Sequence, residues 1–266
     1  MLFLYIWMYV QIILESLPVS SSGHVALVES ILHYFHVPII LPFDIWKIDF
    51  LLHGPTIVIL LIFFFNKWWK TFLKEPVAYS SLYKRSLWYH AAKTIFFVII
   101  ADGITFLFWL FQLMPSISLS LGFCITAMSL YVLRFLDGQK NFDWRYIHAI
   151  YLGLMQGCSL TSGISRFATT YTLGCFLGYK RQDSFALSFL IQMPLLCGAF
   201  FKAILALRNC STLFKNILDF KLLFVILSAT LISYVMLYSV DILIRKKKLW
   251  YLSWYMMLPI FLSVLV

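Results

Sequence analysis

Polar positions along this chain are confined to short islands between long apolar runs. Runs at 47–66, 91–114, 117–136, 184–207 and 221–244 each approach the roughly 20 residues that carry an α-helix across a hydrocarbon core. A last run, 250–266, is short for a crossing but holds no charge. Two further apolar stretches are interrupted: 1–36 at "PVSSSG" and 146–179 at "SLTSGIS". Their halves are too short to cross alone, so each stretch predicts two short helices around a polar tip, a re-entrant hairpin. Backbone at such a tip is tolerated where protein buries it or where it lines a wet cavity. The pattern therefore predicts an all-α polytopic membrane protein, one membrane domain over 1–266. Two structural repeats fall near 1–114 and 115–266, with re-entrant hairpins near 1–36 and 146–179 and the site at their interface. A faint internal echo, "ESLPVSSSG" (15–23) against "CSLTSGISR" (158–166), supports the repeat.

Composition agrees. The chain is 62% hydrophobic and 12% charged, about half the charge of an ordinary soluble domain, with mean hydropathy +0.89. The net charge of +10 does not point to nucleic acid. Its bases sit in short runs between apolar segments, "NKWWK" (66–70), "YKR" (83–85) and "RKKKLW" (245–250), as loops facing anionic headgroups do. Cysteines at 124, 158, 175, 197 and 210 form no C-x-x-C pair and read as small helix residues. The N-terminus lacks a basic leader region, so the first segment is expected to stay in the mature protein.

The first tip carries the chemistry. Gln11 and Glu15 are one helical turn apart and share a face. The chain then breaks at Pro18 and presents Ser20, Ser21, Ser22, Gly23 and His24. Gly23 permits close backbone approach, and successive N–H groups at the start of the following helix make an anion site. Serine, histidine and carboxylate together are the inventory of general-base and nucleophilic catalysis. A serine run alone would read as a helix-packing seam; ionisable groups inside a span favour function.

The second tip is "SLTSGISRFATT" (159–170). Arg166 is a planar, permanent cation suited to bidentate phosphate contacts. Gly163, Ser165 and Thr170 surround it with hydroxyls and adaptable backbone. The bland alternative is an arginine reaching for the headgroups. Together the two tips form an anion cradle in a protein otherwise made for lipid, so the expected substrate has a phosphate head and a hydrophobic tail.

At these residues the chain resembles the bacterial undecaprenyl-diphosphate phosphatase family of the bacitracin-resistance type. "ESLPVSSSGH" (15–24) is similar to the family's first motif, and "SGISRFATT" keeps Gly163, Ser165, Arg166 and Thr170 of the second. "SFLIQMPLLCGA" (188–199), with the run from Gly178 leading into it, is a weaker likeness. Gln11 stands where the family usually has Glu, Ser162 where it has Pro, and Phe167 where it has Ser.

The resemblance implies hydrolysis of a polyprenyl diphosphate to the monophosphate and inorganic phosphate, recycling the cell-wall lipid carrier. It implies a multi-pass protein of the bacterial inner membrane, with repeats of inverted topology and its site on the outer face. It also implies a divalent cation, Mg²⁺ or Ca²⁺, with Glu15 and Gln11 as its ligands. Glu15, Ser21, His24 and Arg166 are then the expected catalytic residues, and Gln11, Ser20, Ser22, Gly163, Ser165 and Thr170 the substrate-binding ones. Ser21 is the first choice of nucleophile, with Glu15 or His24 taking its proton. His24 as nucleophile and a water activated at Glu15 are the rival assignments.

Two competing readings are a lipid-phosphate transporter or flippase, which needs the cradle without a nucleophile, and a catalytically impaired family member. The expected partners are the polyprenyl diphosphate and membrane lipids, and a homodimer is allowed. Elsewhere, Asp102 reads as a helix–helix hydrogen-bonding group, His53 as a residue near the cavity, and Asp49 as a membrane-boundary residue.

Overall fold

The computed structural model describes residues 2–36, 45–70, 83–207 and 220–266, and among them the fold is all helix. The elements are α1 (Leu2–Glu15), α2 (Ser21–Tyr34), α3 (Ile45–Trp68), α4 (Tyr83–Leu110), α5 (Leu119–Val132), α6 (Tyr146–Cys158), α7 (Arg166–Phe176), α8 (Arg181–Leu207) and α9 (Phe220–Arg245). A 3₁₀ turn (Leu249–Tyr251) then leads into α10 (Leu252–Tyr255) and α11 (Met257–Leu265). Four helices, α3, α4, α8 and α9, are long and apolar enough to cross a membrane. The protein is a multi-pass membrane protein. Cys210 lies outside the described residues.

Three of the apolar runs are corrected. The 117–136 run forms only α5, 14 residues or about 21 Å of helix. Ser118 caps its N-terminus by accepting from the Leu121 N–H, and the chain turns out of the helix after Leu133. The 91–114 run begins earlier and ends at Leu110, because Gln112 takes a left-handed conformation, φ 52°. The 250–266 run is not one helix but the 3₁₀ turn with α10 and α11.

Helix contacts set the direction of the two hairpins. α1 runs parallel to α9: Tyr9 meets Ser228 (2.5 Å), and Ser16 meets Ser233 (2.6 Å), whose hydroxyl also donates to the Ile12 carbonyl. α1 thus starts at the N-terminal end of α9. The other end of α9 is tied to the C-terminal end of α3 by Lys67–Asp241 (2.7 Å). That end of α3 meets the start of α8 through the Trp68 Nε1–H donated to Ala186 O. The start of α8 is in turn joined to the start of α6. Lys140 and Tyr179 form an isolated bridge, and the Tyr179 hydroxyl meets His148 and donates to Asp143 O. α6 packs parallel to α4, with Tyr146 on Phe96 and Gly153 against Ala101.

The α1–α2 and α6–α7 hairpins therefore enter from opposite ends of the bundle and meet tip to tip. At the meeting point a Cβ on Gly23 would stand 2.7 Å from the Gly163 Cα. Two backbones approach this closely only where neither carries a side chain. Gly163 also has φ 90°, a left-handed conformation, and its carbonyl accepts from Thr126 Oγ1 at 2.7 Å. The same threonine oxygen accepts the Ser165 N–H at 2.9 Å. Thr126 of α5 thus satisfies both sides of the second turn.

A buried aromatic group backs the second tip. Phe185 and Phe189 pack on each other and each packs on both Phe64 and Phe167, with ring centroids 4.6–5.6 Å apart. Phe167 is part of this core. Its ring extends the hydrophobic wall beside Arg166.

Candidate active site

α1 ends at Glu15 and the chain turns through 16–20 before α2 starts at Ser21. The turn depends on Ser20, which holds φ 65° as N-cap of α2 and accepts the Gly23 N–H on its Oγ at 3.2 Å. Serine caps of this kind supply the acceptor that the first helical turn lacks. The turn brings Ser21 back onto the residue that ended α1: Ser21 Oγ donates to Glu15 Oε2 at 2.5 Å.

The other carboxylate oxygen, Glu15 Oε1, faces two donors. Gln192 of α8 gives its Nε2–H at 3.1 Å, and Arg166 Nη2 stands 3.5 Å away. Glu15 is 6% exposed. A buried carboxylate needs such partners, because desolvation is costly without them.

Arg166 opens α7, with Ser165 as its cap: Ser165 Oγ accepts the Ala168 N–H at 3.2 Å. Arg166 and its neighbours at the start of α7 border the space between the tips, where a helix N-terminus and a guanidinium favour an anion. Between the tips lies a cleft of about 280 Å³, counted to its open mouth. Its walls include Glu15, Ser20, Ser21, Ser22, Ser165, Arg166 and Gln192. Lined by hydroxyls, a carboxylate, an amide and a guanidinium, it suits a polar head.

The expected residues are not all gathered here. His24 is turned away: one ring nitrogen donates to Ser20 O (Nδ1, 2.8 Å), the other meets Tyr255 Oη (Nε2, 3.0 Å). The ring stacks on Tyr255 and meets the edge of Phe123. Because a carbonyl only accepts, Nδ1 carries the proton and Nε2 accepts from the tyrosine. Thr170 gives its hydroxyl to Arg166 O at 2.7 Å and is buried, so it holds the helix behind the arginine rather than lining the cleft. Gly163 serves the tip-to-tip contact. Gln11 is buried, with its Oε1 lacking a partner.

Asp49 stands at the start of the α3 span, and its carboxylate lies by Gln11 in the field of Glu15 and Arg166. His53 is buried on Phe50 and is not among the cleft residues. Asp102 accepts from Gln156 Nε2 at 2.9 Å, the helix–helix bond expected of it.

Sequence reading missed Gln192, Tyr255 and Thr126. Gln192 had a signal, an amide in the otherwise apolar "SFLIQMPLL" run. Tyr255 had none, being one of 15 tyrosines in an aromatic-rich chain.

A family model described as bacitracin resistance protein BacA matches residues 5–261. The chain belongs to the BacA family. Among curated relatives, it is 26% identical over 253 residues to undecaprenyl-diphosphatase 1 of Bacillus cereus, covering 91% of this chain and 88% of that one. It is 27% identical over 260 residues to the undecaprenyl-diphosphatase of Borrelia recurrentis, covering 93% and 92%. To that of Elusimicrobium minutum it is 28% identical over 197 residues, covering 73% and 71%. The match to the BacA model spans both hairpin tips and the intervening α3–α5 segment, so the paired-tip cleft falls inside it.

Proposed function

We propose that this BacA-family protein hydrolyses undecaprenyl diphosphate to undecaprenyl phosphate and inorganic phosphate, recycling the carrier lipid of cell-wall synthesis. The observation that carries the reading is the Ser21–Glu15 hydrogen bond of 2.5 Å beside Arg166, at the meeting of two tips in a chain built for lipid. A flippase needs an anion cradle but no carboxylate set against a serine hydroxyl. Relatives named undecaprenyl-diphosphatase, matched over most of both chains, support the same substrate.

The chemistry follows from the geometry. Glu15 Oε2 takes the Ser21 proton as Ser21 Oγ attacks the terminal phosphorus. The bond from that phosphorus to the bridging oxygen breaks, and the lipid monophosphate departs with the electron pair. Arg166 and the N-terminal N–H groups of α7 offset the charge that spreads over the phosphoryl oxygens. Water then cleaves the phosphoserine with Glu15 cycling the proton, and phosphate leaves. Neither nitrogen of His24 is directed at this reaction. Its role is to hold Ser20, and with it the turn that delivers Ser21.

A divalent cation at this site would be held by Gln11 and Glu15. Among the described residues there is no cluster of three His, Cys, Asp or Glu, but the unpartnered Gln11 Oε1 and the Glu15 carboxylate are hard oxygen donors of the kind Mg²⁺ and Ca²⁺ take. Such an ion would supply positive charge against the diphosphate.

The bundle end that holds Lys67, Arg134, Lys140, Lys180, Lys247 and Lys248 is the more basic of the two among the described residues, and the positive-inside rule assigns it to the cytoplasm. The α1–α2 hairpin then enters from the outer side of the inner membrane as a re-entrant element, with α6–α7 as its inverted counterpart. The test is phosphate release from undecaprenyl diphosphate by the purified full chain in detergent, with and without EDTA. Binding of the lipid without release would overturn the reading.

A further inference from the structure

Glu15 has two oxygens with different tasks, and the side chain that assigns them comes from α8. Oε2 meets the Ser21 hydroxyl at 2.5 Å; Oε1 receives Gln192 Nε2–H at 3.1 Å. We propose that Gln192 is the positioning residue of this site, holding the Glu15 carboxylate in the one rotation that keeps Oε2 on Ser21. This rests on the reading of Glu15 as the acceptor of the serine proton.

Three observations carry it. First, the amide orientation is set by its partner. A carboxylate accepts only, so the Gln192 nitrogen must face it, which leaves Gln192 Oε1 buried without a hydrogen bond. A side chain that leaves its own carbonyl unsatisfied in a buried place is held there by the one bond it does make. Second, Gln192 is on a fixed support. The carbonyl of its neighbour Ile191 accepts Gln156 Nε2–H of α6 at 3.3 Å. The backbone beside Gln192 is thus pinned from the second hairpin while its side chain reaches the first. Third, Arg166 alone does not fix the rotation. At 3.5 Å from Oε1 its contact is long, and its partly exposed guanidinium, with 24% of the side chain accessible, faces the cleft where a phosphate would compete for it. When substrate draws Arg166 away, Gln192 is the donor that stays on Oε1.

The experiment compares the full chain with Gln192→Met, which keeps length and loses the donors, and Gln192→Glu, which sets a carboxylate against Glu15. Steady-state phosphate release from undecaprenyl diphosphate is measured alone and in a Glu15→Asp background, where the shortened carboxylate no longer reaches Gln192. We expect kcat of Gln192→Met to fall roughly ten- to a hundredfold, as for a displaced catalytic group, with KM within about twofold. Gln192→Glu falls at least as far, and neither change lowers activity further in Glu15→Asp. Unchanged kcat in Gln192→Met overturns the proposal. So does a loss of equal factor in both backgrounds, which marks a merely structural residue, and so does a loss confined to KM. A Gln192→Met chain that fails to fold leaves Gln192→Glu to decide, and full activity there overturns it as well. Full activity of Glu15→Gln is a separate outcome, which removes the underlying mechanism instead.

Discussion

The Ser21 hydroxyl donates to Oε2 of Glu15 at 2.5 Å, across a turn of five residues that reverses the chain. Removing either partner breaks the proton transfer. Ser21→Ala and Glu15→Gln are each expected to lower kcat by about 10²–10⁴-fold, the usual contribution of such a group, while lipid binding persists. Phosphate release and lipid binding in detergent, measured on the same preparations, check both halves.

The His24 ring is spent on Ser20 and Tyr255. An acid-quenched reaction with labelled terminal phosphate is therefore expected to trap acid-stable phosphoserine and no acid-labile phosphohistidine. Recovery of phosphohistidine would make His24 the nucleophile and require the ring to leave Tyr255.

Arg166 serves by shape as well as charge. Arg166→Lys keeps the cation but loses the fork that grips two phosphate oxygens. A kcat loss of about 10²–10³-fold is expected, the size seen when one transition-state donor is removed. Wild-type kcat in Arg166→Lys would reduce its part to a simple counter-ion.

The tips meet through two backbones, and a methyl on Gly23 has nowhere to go: its neighbours would be the Gly163 backbone and a Phe123 ring carbon, both at 2.7 Å. Gly23→Ala should force the hairpins apart and abolish activity, with a thermal midpoint lowered by several degrees, since overpacking costs about 1–3 kcal/mol. Thermal unfolding followed by tryptophan fluorescence in detergent measures it.

Far from the cleft, Tyr179 closes the basic end by accepting from His148 and donating to Asp143 O. Tyr179→Phe removes both bonds; Asp143 is exposed and His148 half-buried, so water can replace the hydroxyl, and the expected cost is about 0.5–1.5 kcal/mol. Activity per folded molecule should not change. The pair of readings separates support of the fold from the chemistry.

Much of this protein was legible in the order of its residues. Helix length and apolar content are local properties, so the four long spans were legible in the sequence, although the same criterion also marked 117–136, which forms only the 14-residue α5. So were the two broken stretches, because Ser, Gly and Pro interrupt helices by local backbone preference. Motif likeness named Glu15, Ser21 and Arg166 before any geometry.

What remained depended on contacts between residues far apart in the chain. Only the fold turned His24 from the cleft, since that depended on Tyr255, 231 residues away, and a ring nitrogen commits to whichever partner packing supplies. Only the fold brought Gln192 to Glu15, 177 residues apart, because an amide in an apolar run does not declare which helix it will face. Local preference decides where helices begin and end; which of their polar groups meet is decided by how those helices pack, and with it which oxygen of Glu15 is left for Ser21.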